Sequence, residues 1–270
     1  MSIKLIAIDL DGTLLNENHA LNPATVTAVK RAKEQGIKVV LCSGRPLTGL
    51  QAYLHELNLT EPGDFSISYN GALVQHVDTG KTVVSETLSC ADYKRIQDLA
   101  NELHIHAHVQ DEAHIYTMNA DISPYTVRES FLVNMPLFYR LPDTFPADKR
   151  FAKVMLIDDP AKLAAAKEKI PAAFFDDYYI VNSEPFFLEF MNKAVSKGNA
   201  VTALAKYLGY TMDEVMAIGD QANDLPMVEA AGTGVAMGNA IDAVKDAAQV
   251  ITATNVNDGV AKAITEYALN

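Results

Sequence analysis

Cysteine is scarce in this chain: Cys42 and Cys90 are all that 270 residues carry. Two cysteines give no disulfide framework, and a reducing, cytoplasmic location is expected. Cys42 closes an apolar run and reads as a small buried hydrophobe. No apolar stretch reaches the roughly eighteen residues that a membrane-spanning helix needs. The first residues look like a buried strand rather than a basic region followed by a long apolar segment, so no signal peptide is expected. Basic residues are few, 22 against 34 acidic, for a formal net charge of −12. That balance disfavours nucleic acid and anionic membranes as partners. Internal repeats and low-complexity segments are absent. What is present is a hydrophobic content of 49%, enough for one large domain or two modest ones.

The most telling stretch is Lys4-Leu-Ile-Ala-Ile-Asp9-Leu-Asp11-Gly12-Thr13. An apolar run ends on two aspartates one residue apart, with a glycine and a threonine directly after. This reads as a buried strand entering a tight loop with two carboxylates at its tip, where ligands bind in a parallel α/β sheet. Clustered carboxylates are costly without a cation, and a hard divalent ion such as Mg2+ is the natural partner of oxygen ligands. The bland alternative is a solvated turn, which the preceding apolar strand opposes. A calcium loop of the EF-hand kind needs an oxygen ligand where Thr13 stands and a later glycine than Gly12.

The first eighty residues alternate between strand and helix signals. Asn22-Pro23 starts a helix that stops at Gly36; Ile37 to Cys42 is a strand; a helix follows Pro46 to about Leu57; Phe65 to Tyr69 is a strand; Ala72 to Glu86 is a hairpin turning at Asp78-Thr79-Gly80. This rhythm implies a doubly wound, Rossmann-like parallel sheet of the α/β class. The middle differs: a helix from Asp92 to Leu103, strands at His106–Gln110, His114–Met118, Ala152–Ile157, Tyr179–Val181 and Phe186–Met191, a helix from Lys162 to Lys169, and loops over Met135–Lys149. This pattern predicts an inserted α+β unit with an antiparallel sheet. From Val195 the βα rhythm returns, with a helix to Leu208, strands at Val215–Ile218 and Gly234–Ala236, a helix from Asn223 and a last helix to Leu269. The expected division is 1–83 with 191–270 as core and 84–190 as insert.

Three further points fall at strand ends or helix starts. Ser43-Gly44-Arg45 offers a hydroxyl and backbone N–H groups before a helix, an anion cradle or an ordinary turn. Gly219-Asp220-Gln221-Ala222-Asn223-Asp224 adds carboxylates after another apolar run, or simply an Asp N-cap. Lys197-Gly198 opens a helix, where a lone lysine is usually solvated.

Taken in order, Asp9-Leu10-Asp11-Gly12-Thr13, Ser43-Gly44-Arg45, Lys197 and Gly219-Asp220-Gln221-Ala222-Asn223-Asp224 resemble the four motifs of the haloacid dehalogenase superfamily. With Tyr69-Asn70-Gly71-Ala72 and the long insert, the spacing is similar to its Cof-type branch, subfamily IIB, which includes sugar phosphatases. The resemblance covers essentially the whole chain and implies a C2-type cap in the insert. It makes Asp9 the nucleophile that forms an aspartyl-phosphate and Asp11 the general acid/base. Mg2+ is implied on Asp9, Asp220 and the backbone carbonyl of Asp11. The transferring phosphoryl group is held by the backbone near Leu10 and by Ser43, Gly44, Lys197 and Asn223, with Arg45 assisting. Asp224 is expected to orient Lys197 or the metal shell. A second aspartate at position 11 favours phosphate esters over halides, since a halide leaves without a proton.

The implied partner is a small phosphate ester, and the expected state of the chain is a monomer or small homo-oligomer. Alternatives are a phosphomutase or phosphotransferase, or a regulatory module that only accepts phosphate on Asp9. His104, His106 and His108 alternate on a predicted strand, near His114, in what reads as a solvated sheet face; a zinc site is the alternative. Tyr116, Tyr125, Tyr139 and Phe186 to Phe190 offer a pocket lining but read mainly as core, and Glu189 as a candidate for the substrate side of the insert.

Overall fold

A computed structural model describes residues 2–269. It divides into two compact units, residues 1–85 with 196–270, and residues 86–195.

The first unit opens with β1 (Leu5–Asp9), whose five residues are all buried. Ile6 and Ile8 belong to one apolar cluster, Leu5 and Ala7 to another. Helices cover both faces of the strand, which is why it reads as a continuous apolar run without alternation. Helix α1 (Pro23–Glu34) carries Pro at its first position. It leads to β2 (Lys38–Cys42), α2 (Leu47–Glu56), β3 (Phe65–Ser68) and the hairpin β4 (Leu73–His76) and β5 (Thr82–Ser85).

The second unit contains β6 (Leu88–Ser89), α3 (Cys90–Glu102), β7 (His106–Gln110), β8 (Ile115–Thr117), α4 (Pro124–Leu132), β9 (Leu137–Tyr139), β10 (Arg150–Phe151), β11 (Lys153–Ile157), α5 (Pro160–Lys167), α6 (Ala172–Asp177), β12 (Tyr178–Glu184) and β13 (Phe187–Asn192). Ser89 and Asp92 form a capping box that starts α3 earlier than the expected Asp92. The six-stranded sheet runs β12-β13-β11-β7-β8-β9. Tyr93, Ile96, Val109, Val154, Leu156, Leu188 and Phe190 build its apolar core. A row of other side chains is polar yet buried: His108, Gln110, Lys153 and Glu189, together with Glu129 from α4.

The chain then returns to the first unit with α7 (Lys197–Tyr207), β14 (Val215–Gly219), α8 (Leu225–Ala230), β15 (Thr233–Ala236), α9 (Asp242–Ala247), β16 (Val250–Ile251) and α10 (Gly259–Ala263). The sheet order is β16-β15-β14-β1-β2-β3-β4-β5. It is parallel from β16 through β3 and antiparallel at β4 and β5. The connections leave β1 toward β2 on one side and β14 on the other, so the switch point lies at the carboxyl end of β1.

Several elements depart from the sequence reading. Met135–Lys149 is not only loop: Leu137–Tyr139 pairs in parallel with β8. Three residues between prolines carry too little pattern to show a strand whose reason is long-range pairing. Helices α4 and α6 and strand β16 were not expected. The histidine row is also different. His104 sits in a turn at φ 56°, off the strand, and His108 is fully buried rather than solvated.

Candidate active site

Four loops leave the carboxyl ends of β1, β2, β3 and β14. After β1, Leu10–Leu14 makes one wide turn in which Asp11 and Gly12 leave helical geometry. Gly12 has φ 84°, and a Cβ there would strike the Asp220 carboxylate. Glycine is thus required twice, for the backbone and for the neighbour. Thr13 donates its hydroxyl to Asp220 Oδ1 at 2.8 Å, tying the β1 and β14 loops together.

Lys197 occupies the first position of α7, one residue after its N-cap Ser196. It is 1% exposed and donates to Asp9 Oδ1 at 2.5 Å and Asp224 Oδ1 at 2.6 Å. A solvated helix-start lysine is therefore excluded. Its neighbour Gly198 packs so tightly on the Pro226 carbonyl that no Cβ fits, which presses α7 onto α8 and sets the lysine. Asp224 uses its second oxygen to accept the N–H groups of Asp220 and Gln221 at 2.9 and 3.0 Å. It stands between the lysine and the Asp220 loop.

Asp9, Asp220 and Asp224 offer oxygens within 4.8 Å of one another, all buried. One buried ammonium faces three carboxylates. Burial and the Asp224 charge push Asp9 well above the usual carboxylate range, against the pull of Lys197. Burial also raises Asp220 despite the Thr13 hydrogen bond. Lys197 moves up because Asp9 and Asp224 outweigh its own burial. Cys42, beneath them, is raised by burial and is no nucleophile. Three oxygen donors and a surplus of negative charge fit a hard divalent cation.

The side chain of Asp11 lies apart from that cluster. Arg45 grips it with Nη2 at 2.6 Å from Oδ1 and Nε at 3.0 Å from Oδ2. Ser43 is buried; its Oγ accepts the Arg45 N–H at 3.1 Å. Asn223 donates to Asn70 Oδ1 at 3.0 Å, and the Asn70 side chain closes over Gly44. Leu10 is buried. The sequence reading assigned Thr13 and Asn70 no role in the site, although both stood in its motifs. Asn70, at φ 56° after β3, could have been sought as a strand-end turn residue.

Residues 6–264 match the family model of the haloacid dehalogenase-like hydrolases. The chain belongs to the haloacid dehalogenase superfamily, in its Cof-type branch. It is 48% identical over 266 residues to the protein named "Putative phosphatase YxeH" of Bacillus subtilis, covering 98% of each. It is 32% identical over 270 residues to the 5-amino-6-(5-phospho-D-ribitylamino)uracil phosphatase YcsE of the same organism, covering 100% of this chain and 97% of that one. A solved haloacid dehalogenase-like hydrolase from Bacteroides thetaiotaomicron superposes with a TM-score of 0.85 at 36% identity, covering 97% and 98%. The enzyme is a phosphoric monoester hydrolase. No helix among the described residues is long and apolar enough to cross a membrane.

Proposed function

We propose that this enzyme hydrolyses small phosphorylated metabolites, sugar or sugar-alcohol phosphates, through a phosphoryl group carried on Asp9. The observation that carries the reading is the buried set of Asp9, Asp220 and Asp224 around Lys197. The YcsE relative acts on a phosphorylated ribityl chain by its name, which supports a polyol phosphate here. The chemistry, the acidic balance and two unpaired thiols suit a cytoplasmic enzyme working on diffusible substrates.

Asp9 attacks phosphorus with a carboxylate oxygen, and the bond from phosphorus to the ester oxygen breaks. Asp11 protonates the departing alkoxide, then takes a proton from the water that cleaves the acyl phosphate and returns Asp9. Lys197 neutralises charge on the phosphoryl oxygens while Asp224 holds its ammonium in place. Ser43, Gly44 and Asn223, with the backbone near Leu10, orient the transferring group. Asp9, Asp220 and the backbone carbonyl of Asp11 are the groups that would hold Mg2+. That ion would supply charge neutralisation between two anions. Residues 86–195 are assigned the choice of ester. Water, not a sugar hydroxyl, is the acceptor.

The test is a screen of phosphorylated metabolites with Mg2+ and with EDTA. Inorganic phosphate should appear only with the metal. Turnover undiminished in EDTA would remove the metal from the reaction, and transfer to a second sugar without phosphate release would make the enzyme a mutase.

A further inference from the structure

Seven of the exposed large hydrophobic residues fall within one stretch of the second unit: Ile122, Val127, Phe131, Leu132, Phe138, Tyr139 and Leu141. Phe131 is 86% exposed. Val127 and Phe131 are one helical turn apart on α4, so they share a face. The helix end is folded back onto β9, with Met135 N–H bonded to the Ser130 carbonyl at 3.0 Å and Ile115, Val133, Met135 and Leu137 packed beneath. Leu137 packs on the α4 side of the sheet and Phe138 against Tyr116 on the other, so exposed apolar side chains gather at this end of the unit on both faces of the edge strand.

Strand β9 is the end of its sheet, paired among the described residues only with β8. Arg140 N–H bonds to the Thr117 carbonyl and Ile115 N–H to the Pro136 carbonyl. By the alternation of a strand, Leu137 and Tyr139 turn their N–H and C=O groups away from β8. The Tyr139 carbonyl there accepts a hydrogen bond from the neighbouring Arg140 guanidinium at 3.0 Å. Edge strands are normally guarded by charges, bulges or extreme shortness. The opposite edge β12 has a bulge, Asn182 and Glu184; β16 has two residues. The sequence Leu137-Phe138-Tyr139 carries no charge of its own; Pro136 before it and Arg140 after it are what bound this edge.

We propose that this face is where two copies of the chain meet, β9 against β9 across a two-fold axis. A second copy is favoured because a three-residue strand paired antiparallel with itself uses every outward group: Leu137 meets Tyr139 of the other copy, and Phe138 meets Phe138. The pairing doubles the six-stranded sheet and removes its open edge. With aromatic side chains of roughly 150–250 Å2 each, the exposed fractions put on the order of 600 Å2 of side-chain surface on this face. Adding the strand backbone brings it near the about 800 Å2 per partner of a stable interface.

The test is the mass of the full chain by light scattering and sedimentation at micromolar concentration. A dimer, twice 29.4 kDa, is expected. Phe131→Glu and Tyr139→Lys should each weaken it by at least about thirtyfold. Both positions are exposed, and unchanged circular dichroism and turnover would show the monomers folded. Phe138→Cys in a Cys90→Ser background should cross-link under mild oxidation, since directly opposed non-hydrogen-bonded residues lie about 4.5 Å apart at Cα. A wild-type monomer would overturn the proposal. So would a dimer that both charge variants leave intact and that Phe138→Cys does not link.

Discussion

At the scale of single residues, the roles separate by what each side chain touches. Asp9 and Lys197 share a buried 2.5 Å contact, so neither can be changed quietly. Lys197→Ala should lower kcat by about 10²–10³. It should also destabilise the fold by about 3–5 kcal/mol, because buried Asp9 and Asp224 lose their counter-ion. A variant that loses stability without losing kcat would make Lys197 structural alone. Asp11 is bound by the Arg45 fork instead, at the exposed rim. Asp11→Asn should slow alkyl phosphates far more than the p-nitrophenyl ester in the first step, since a good leaving group needs no proton. Equal losses on both, with no accumulated phosphoenzyme, would remove Asp11 from proton transfer. Asp9 and Asp11 stood out in the sequence because their motif is short and contiguous, whereas Lys197 was a lone residue picked out only by the family resemblance. Asn70 and Thr13 were not assigned, since their value lies in partners 153 and 207 positions away.

At the scale of elements, the polar row buried under α4 sets a pH limit on the second unit. Burial holds the His108 imidazole down to about 3, with the Lys153 charge adding to it and Glu129 opposing. In the unfolded chain it titrates near about 6.5. Between those values the unfolded state binds the extra proton, so stability rises with pH and is lost as pH falls from about 6.5 toward 3. Glu129 acts in the same direction: despite burial, Lys153 holds it below the carboxylate range. Denaturant unfolding of the protein at pH 7 and pH 5 should show the loss, and His108→Leu should flatten the slope over that window. A wild-type slope unchanged by the substitution would contradict a neutral buried imidazole. The alternation of His104, His106 and His108 was read as a solvated strand face, but His104 precedes β7, and periodicity could not show that α4 covers His108, because α4 itself was missed. Ser123-Pro124, an N-cap followed by Pro at the first helical position, was the available signal.

At the scale of the whole molecule, most of the first unit followed from strand-end chemistry. Buried parallel strands announce themselves as apolar runs, and β1, β2, β3 and β14 lie close to where the pattern puts them. The boundaries expected at 83 and 191 lie a few residues short of the division at 85 and 195, as composition does not change sharply at either crossing. The insert was harder, since β9 exists through pairing and the polar row through burial. If residues 86–195 choose the ester, exchanging them for the matching segment of a relative should change substrate ranking and leave the metal requirement as it was. Unchanged ranking would return selection to the first unit. Phosphoryl transfer through Asp9 underlies all of these readings. The most direct measurement is acid quenching of the Asp11→Asn protein after mixing with p-nitrophenyl phosphate and Mg2+, followed by mass spectrometry of the peptide spanning residues 5–30. That peptide should gain the mass of one phosphoryl group, on Asp9, and the gain should vanish in an Asp9→Asn, Asp11→Asn double variant. An enzyme that releases p-nitrophenol while this peptide never carries phosphate would contradict covalent catalysis by Asp9.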